Sequence, residues 1–382
     1  MRLILFFLFY YIFLFWYGVN FLSFSLVEAE SFEKVWFLKY VFDFAFSLFG
    51  QNDFTLRLIP MFFSILSVMF YYKISTFYFK KEKDLVFNVI IFSLIPGFII
   101  SSLIVNKSIF LIFLTLLFIY TYKTNKKIAY ILLGLYAFVD YAFINLYFAL
   151  IFYAIYKKDT KFLFYVLLLL AINANLFDYS IGGKPRGYFL DVMGTYFLIF
   201  SPLVFVYFIF TLYKGLFLKK DIIYFISAMT FLLSLVLSFR QHIRIDDYAP
   251  FSLIYVIYMV KIFLNSYRVR LPKFRKGYKA IFVILFSSLI IFDIAIFLNR
   301  YTPARNLSSS FYFIKPLAEI LKKKKIAKIY CNNRNICKTL DFYGVKNGDE
   351  YYLVYSKSSK KVSIFHKKRK VLSVDVSKLN TL

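Results

Sequence analysis

Long apolar runs broken by short basic stretches set the pattern of this chain. Runs long enough to cross a bilayer as helices lie near residues 2–24, 54–79, 85–105 and 108–122. Others lie near 162–177, 193–213, 222–239, 250–266 and 280–299. Segment 128–156 has the length of one tilted span, but Lys123, Lys126 and Lys127 precede it and Lys157, Lys158 and Lys161 follow it. Cytoplasmic placement of both clusters makes it a hairpin of two short helices turning near Asp140. The strongest basic loop, Arg268 to Lys279, then also faces the cytoplasm, as do Lys80, Lys81, Lys83, Lys219 and Lys220. These constraints predict about eleven spans, with the amino terminus inside and the carboxyl terminus outside.

The first polar break, Leu26 to Pro60, opens with Glu28 and Glu30 just past an apolar run. It continues as a helical stretch in which Glu33, Tyr40, Asp43 and Ser47 share one stripe among aromatic residues, a pattern suited to the membrane interface. Past residue 300 the pattern changes. A helix near 314–325, a strand near 326–331, a short helix and several strands follow, punctuated by Gly344 and Gly348. The expectation is an all-α polytopic membrane domain over 1–299 and a small soluble α/β domain over 300–382.

Composition narrows the class. Of 382 residues 61% are hydrophobic, with 53 Phe and 34 Tyr, more apolar surface than a soluble core can use. The formal charge of +28 would suit a nucleic-acid binder. Here the basic residues sit in loops and the tail, where they serve topology and anionic lipid headgroups, so no nucleic-acid partner is expected. Residues 2–24 form an uncleaved first span rather than a signal peptide, since no small-residue cleavage site follows. Cys331 and Cys337 are the only cysteines; a short disulfide loop fits an oxidising compartment, and two ligands are too few for a metal site. A divalent metal stays open as a cofactor, with no ligand cluster behind it.

The unusual polar residues gather in the loops placed outside. Lys184 and Arg186 stand on a Gly-rich turn, a reasonable phosphate cradle. The 240–249 loop adds Arg240, His242, Arg244 and the pair Asp246/Asp247. Arg57, inside the second span, must pair with a carboxylate such as Asp53 or Asp43, or bind a phosphate. Any one of the loop cations also has a plain reading as a headgroup contact, and Asp140 as a polar turn residue.

The stretch Leu48-Phe-Gly-Gln-Asn-Asp-Phe-Thr-Leu-Arg-Leu-Ile-Pro-Met resembles the start of the second span in bacterial C-type (GT-C) glycosyltransferases. The branch it is most similar to holds the protein mannosyltransferases and the lipid A aminoarabinose transferase. Gly-Lys-Pro-Arg-Gly-Tyr-Phe (183–189), Phe-Ser-Pro-Leu (200–203) and Arg240 to Phe251 extend the resemblance over roughly residues 20–255. It implies an inverting enzyme of the bacterial inner membrane. Such an enzyme takes a sugar from a polyprenyl-phosphate carrier to an envelope lipid, glycan or protein on the outer face. The family's acidic motif is Asp-Glu-Ala, whereas this chain has Val27-Glu28-Ala29 and lacks the Lys-Pro-Pro that often follows. Glu28, or failing that Glu30, would then be the base, with Lys184, Arg186, Arg240, Arg244 and Arg57 binding substrate. A lipid-linked-sugar flippase ranks lower, because no internal repeat and few Gly or Pro breaks are visible. A non-catalytic scaffold in envelope-glycan assembly is kept in view by the missing Asp.

The topology is directly testable. Cysteine labelling at Ser309 and Tyr278 should place the two on opposite faces of the membrane; labelling of Tyr278 from outside would overturn the loop assignment.

Overall fold

The computed structural model describes residues 2–177, 187–218, 220–299, 311–356, 361–366 and 369–375. In chain order the helices are α1 (Arg2–Phe21), α2 (Leu26–Lys34), α3 (Trp36–Phe49), α4 (Asp53–Ser75), α5 (Glu82–Ser93) and α6 (Pro96–Leu103). Next come α7 (Ser108–Thr124), α8 (Lys126–Tyr136), α9 (Phe143–Lys157), α10 (Thr160–Leu176), α11 (Phe189–Phe200) and α12 (Pro202–Gly215). The helical part ends with α13 (Ile222–Ser238), α14 (Ala249–Leu253), α15 (Val256–Val269) and α16 (Pro272–Leu298). The tail adds α17 (Ile314–Lys323), β1 (Tyr330–Cys331), α18 (Arg334–Phe342), β2 (Tyr351–Ser356), β3 (Lys361–His366) and β4 (Arg369–Asp375).

The architecture is polytopic and all-α with a small sheet region near the carboxyl end. Stretches Leu3–Phe21, Asp53–Ser75, Ala249–Val269 and Pro272–Leu298 are each long and apolar enough to cross a membrane. Two runs expected as single spans are bent pairs instead: α5 and α6 meet at 61°, α11 and α12 at 104°. Pro96 and Pro202 start the second member of each pair, where a missing N–H and a fixed φ suit a new helix and prevent continuation of the old one. Gly97 allows the close crossing at the first break, since a Cβ there would lie 2.6 Å from Ile199 Cγ2. Segment 128–156 is two helices, α8 and α9, turning through Asp140. Tyr147 donates to Leu133 O across the pair at 2.7 Å, and the Tyr136 and Phe143 rings stack at 4.7 Å.

The chain divides into two compact units, one of Met1–Met61, Leu103–Asn106 and Ala295–Leu382, the other of Phe62–Ser102 and Lys107–Ile294. The tail thus groups with the first helices. Polar ties explain why. Ser23 N donates to Phe311 O at 2.7 Å, and Tyr343 Oη donates to Asp53 Oδ1 at 2.7 Å while accepting from Phe24 N at 2.8 Å. Lys315 Nζ lies 2.8 Å from Asp53 Oδ2.

Inside this unit the expected interfacial helix is broken at Val35, whose extended backbone ends α2 and starts α3. The buried face of α3 carries Leu38, Phe42 and Ala45; Trp36, Tyr40, Phe44 and Leu48 are exposed, as lipid-interface residues would be. The tail sheet runs β1-β2-β3-β4, with β1 parallel to β2 and the rest antiparallel. Leu317, Leu321, Ile336, Leu340, Leu353 and Ile364 form its core under α17 and α18. Cys331 and Cys337 are disulfide-bonded with Cα atoms 5.7 Å apart.

Candidate functional site

Helix α2 begins with a capping box. Ser25 Oγ accepts from Glu28 N at 3.2 Å, and Ser25 N donates to Glu28 Oε2 at 2.8 Å. This reciprocal pair turns the Glu28 side chain back along the helix start and away from the exposed face. There it meets Arg57, which projects from α4 and forms an ion pair with Glu28 Oε1. Arg57 Nη2 lies 3.4 Å from Glu28 Oε2, and Val105 N donates to Oε1 at 2.8 Å. The guanidinium also donates to Leu103 O and Ser23 O, each at 2.9 Å. Glu28 is 0% exposed and Arg57 1%.

Both Glu28 oxygens are thus occupied by donors and sealed from solvent, and Arg57 is engaged by Glu28 and two carbonyls; its hydrogen-bonded carboxylate partner is Glu28 rather than Asp53 or Asp43. A charge at this depth is stable only when paired and hydrogen-bonded.

The exposed face of α2 is a different matter. Val27, at the position where the resembling family has Asp, is 50% exposed. Glu30 follows at i+3, on the same side of the helix, and is exposed too. Among the described side chains of this helix Glu30 is an outward carboxylate, one turn beyond the position that Val27 fills. Further along the unit, Phe32, Phe46 and Phe342 line a cleft with Lys39, Asp43 and Asp341.

The second unit holds a buried polar cluster that the sequence reading did not assemble. Lys107 Nζ lies 2.8 Å from Asp140 Oδ1 and 2.5 Å from Asp247 Oδ1, and sits 3.7 Å over the Tyr141 ring. Tyr141 Oη donates to Asp247 Oδ2 at 2.6 Å, Asn145 Nδ2 to Asp247 O at 2.9 Å, and Ser108 Oγ to Asp246 Oδ1 at 3.3 Å. Burial would drive the Lys107 proton off, but Asp247 and Asp140 outweigh it and hold the ammonium above its usual range. Burial raises Asp140 and Asp246, against the pull of Lys107 on both. Asp140 is thus a polar residue at the turn that is buried and ion-paired with Lys107. The available clue was a lone Lys at a turn placed outside, where topology does not favour one.

The expected phosphate-binding cations fare unequally. Arg244 is half-buried; burial opposes its charge, but Tyr141, Asp247 and Asp246 raise its pKa above the usual value. Its neighbouring charges include the carboxylates Asp246 and Asp247. Arg240 is exposed and carries no ion pair among the described residues. His242 rests edge-on against the Tyr188 ring at 5.3 Å. Lys184 and Arg186 lie outside the described residues. Among the described residues no group of three or more His, Cys, Asp or Glu side chains is placed to hold a metal ion.

Replacing Lys107 by Met should expose the logic of the cluster. Asp140 and Asp247 would be left buried without their ammonium partner, with only the half-buried Arg244 nearby, a loss of roughly 3–5 kcal/mol near neutral pH. A carboxylate whose folded pKa is raised makes the native state the better proton binder, so its contribution falls as pH rises through that raised value. The deficit of Lys107→Met should therefore shrink on acidification, read by thermal unfolding in detergent at about pH 7.5 and about pH 5. An equal deficit at both would show that the carboxylates do not depend on Lys107.

No protein-family model matches the chain, and no curated protein matches it. A crystal structure of ArnT from Cupriavidus metallidurans in the apo state does match: the likeness covers 98% of this chain and 98% of that one, with a TM-score of 0.55 and 10% identity. At that identity the likeness is one of fold. The protein has an ArnT-like fold, and the resemblance to that GT-C branch read from the second-span motif is borne out at this level.

Proposed function

We propose that the protein is a membrane glycosyltransferase of the GT-C type. It transfers a sugar from a polyprenyl-phosphate carrier to an envelope acceptor on the outer face of the bacterial inner membrane. The observation that carries this reading is the likeness to ArnT over nearly the whole of both chains, tail included. Glu30 deprotonates the acceptor hydroxyl or amine, which then attacks the anomeric carbon as the carrier phosphate leaves. Its support is position: it occupies the exposed face of α2 one turn from Val27, where a longer Glu side chain can reach toward the place of the missing Asp. Arg240 is the exposed loop cation best suited to the departing phosphate. Glu28 and Arg57 fix the helix that presents Glu30.

A second reading has its own observation. Val27 stands where the family has its Asp, and the adjacent Glu28 is locked in an ion pair, which favours a non-catalytic scaffold in envelope-glycan assembly. The flippase reading loses one of the arguments against it, since two spans are broken at Ser-Pro or Pro-Gly steps; the fold likeness still favours the transferase.

Mass spectrometry of envelope lipids and glycans separates these readings, using cells without the gene complemented by the parent, Glu30→Gln or Glu28→Gln. Glu30→Gln should accumulate like the parent yet lose about 10²–10⁴-fold of the sugar-modified product. Glu28→Gln should instead lower the amount of folded protein. Full product from Glu30→Gln would remove Glu30 as base, and no product difference between cells with and without the gene would favour the scaffold.

A further inference from the structure

Within the second unit, α5, α15 and α16 enclose a crevice with two chemically distinct parts. Its deep part, a narrow apolar slot of about 60 Å³, is lined by Ile91, Ile95, Met259, Val260, Leu285 and Leu289 among others. Its mouth is lined by Lys83, Asp84, Tyr267 and Lys279. Phe87, Phe263 and Phe282 belong to both parts and form the neck, with Phe282 ring centroids 5.3 Å from Phe87 and 5.8 Å from Phe263. Charge and grease are thus arranged in series along one path.

The two lysines at the mouth are available. Asp84, the acid beside them, is taken by Arg268, whose Nη2 lies 2.6 Å from Oδ1. Arg270 leans on Tyr278 and Arg275 on Tyr267, with Arg275 Nε donating to Arg270 O at 2.9 Å. Lys83 and Lys279 are exposed and carry no ion pair among the described residues. α16 forms one wall and is loosely held, with only 11% of its apolar window buried against 72% for Ala249–Val269. Something other than protein must cover the rest of that wall, and in a bilayer the medium supplies acyl chains.

We infer that this crevice is a binding site for one anionic glycerophospholipid, its phosphate held by Lys83 and Lys279 and an acyl chain threaded past the Phe87–Phe263–Phe282 neck. An apolar chain alone would fit the deep part but leave two cations unanswered, and a free anion would leave the apolar part unfilled. A lipid with a charged headgroup satisfies both. The basic mouth belongs to the same side of the membrane as Lys80, Lys81 and the Arg268–Lys279 loop, where anionic headgroups are attracted. Neither Glu30 nor any sugar chemistry enters this assignment, which therefore stands or falls independently of the proposed function.

Native mass spectrometry of the full-length protein in detergent tests it, with phosphatidylglycerol, phosphatidylcholine or inorganic phosphate added. One phosphatidylglycerol should stay bound in preference to phosphatidylcholine, and millimolar phosphate should not displace it. Lys83→Gln/Lys279→Gln, both at exposed positions, should weaken phosphatidylglycerol roughly tenfold and leave phosphatidylcholine unchanged. Val260→Trp, which fills the deep part, should weaken both lipids, and unfolding temperature in detergent reports whether that variant is folded. Equal binding of the two lipids by the parent, an unchanged phosphatidylglycerol affinity in the double lysine variant, or displacement by phosphate alone would each overturn the assignment.

Discussion

A buried carboxylate and guanidinium, Glu28 and Arg57, hold together the start of the first unit. Two charges withdrawn from water cost several kcal/mol each, and attraction offsets that only with good geometry and every remaining lone pair and proton engaged. Here the carboxylate takes Ser25 N and Val105 N besides Arg57, and the guanidinium takes Ser23 O and Leu103 O. Three stretches far apart in sequence, 23–28, 57 and 103–105, are thereby fixed to one another. Arg57 Nε has no partner, the one donor of the group left unmet among the described residues.

That pair separates two roles that one acidic motif could have combined. Glu28 points inward because a capping box and an arginine hold it there, and Glu30 stands on the outward face. Helix α2 is therefore positioned by one acid and presents another. The Lys107 cluster does comparable work in the second unit, tying the start of α7 to the Asp140 turn and to the loop that carries Asp246 and Asp247. Asp293, buried in α16 with neither oxygen hydrogen-bonded among the described residues, has no such compensation; the structure offers no physical account of it.

How much of this was legible in the chain depends on range. Apolar length alone located the helices, because burial in lipid leaves the backbone no partners but its own. The hairpin at Asp140 followed from flanking lysines, a local charge pattern. The Pro96 and Pro202 breaks are readable from local chemistry, as is Ser25-Leu-Val-Glu28, a capping-box signature that points Glu28 back toward the helix start. The partner of Arg57 was not readable. Asp53 and Asp43 are nearer in sequence, and nothing local says that α4 turns its arginine to a carboxylate 29 positions earlier. Lys107 with Asp140 and Asp247, separated by 33 positions and more, was hidden for the same reason. The grouping of the tail with the first helices depends on Tyr343 and Lys315 meeting Asp53, which no periodicity encodes.

The coupling attributed to Glu28 and Arg57 can be measured directly by hydrogen exchange on the parent and on Arg57→Met, following peptides that cover 22–30 and 101–107. If one ion pair fixes both stretches, both should be protected in the parent, and both should lose protection together when Arg57 is replaced, while the tail sheet and α9 keep theirs. Protection at 101–107 that survives the substitution would contradict it, since Val105 N and Leu103 O would then be held by something other than this pair.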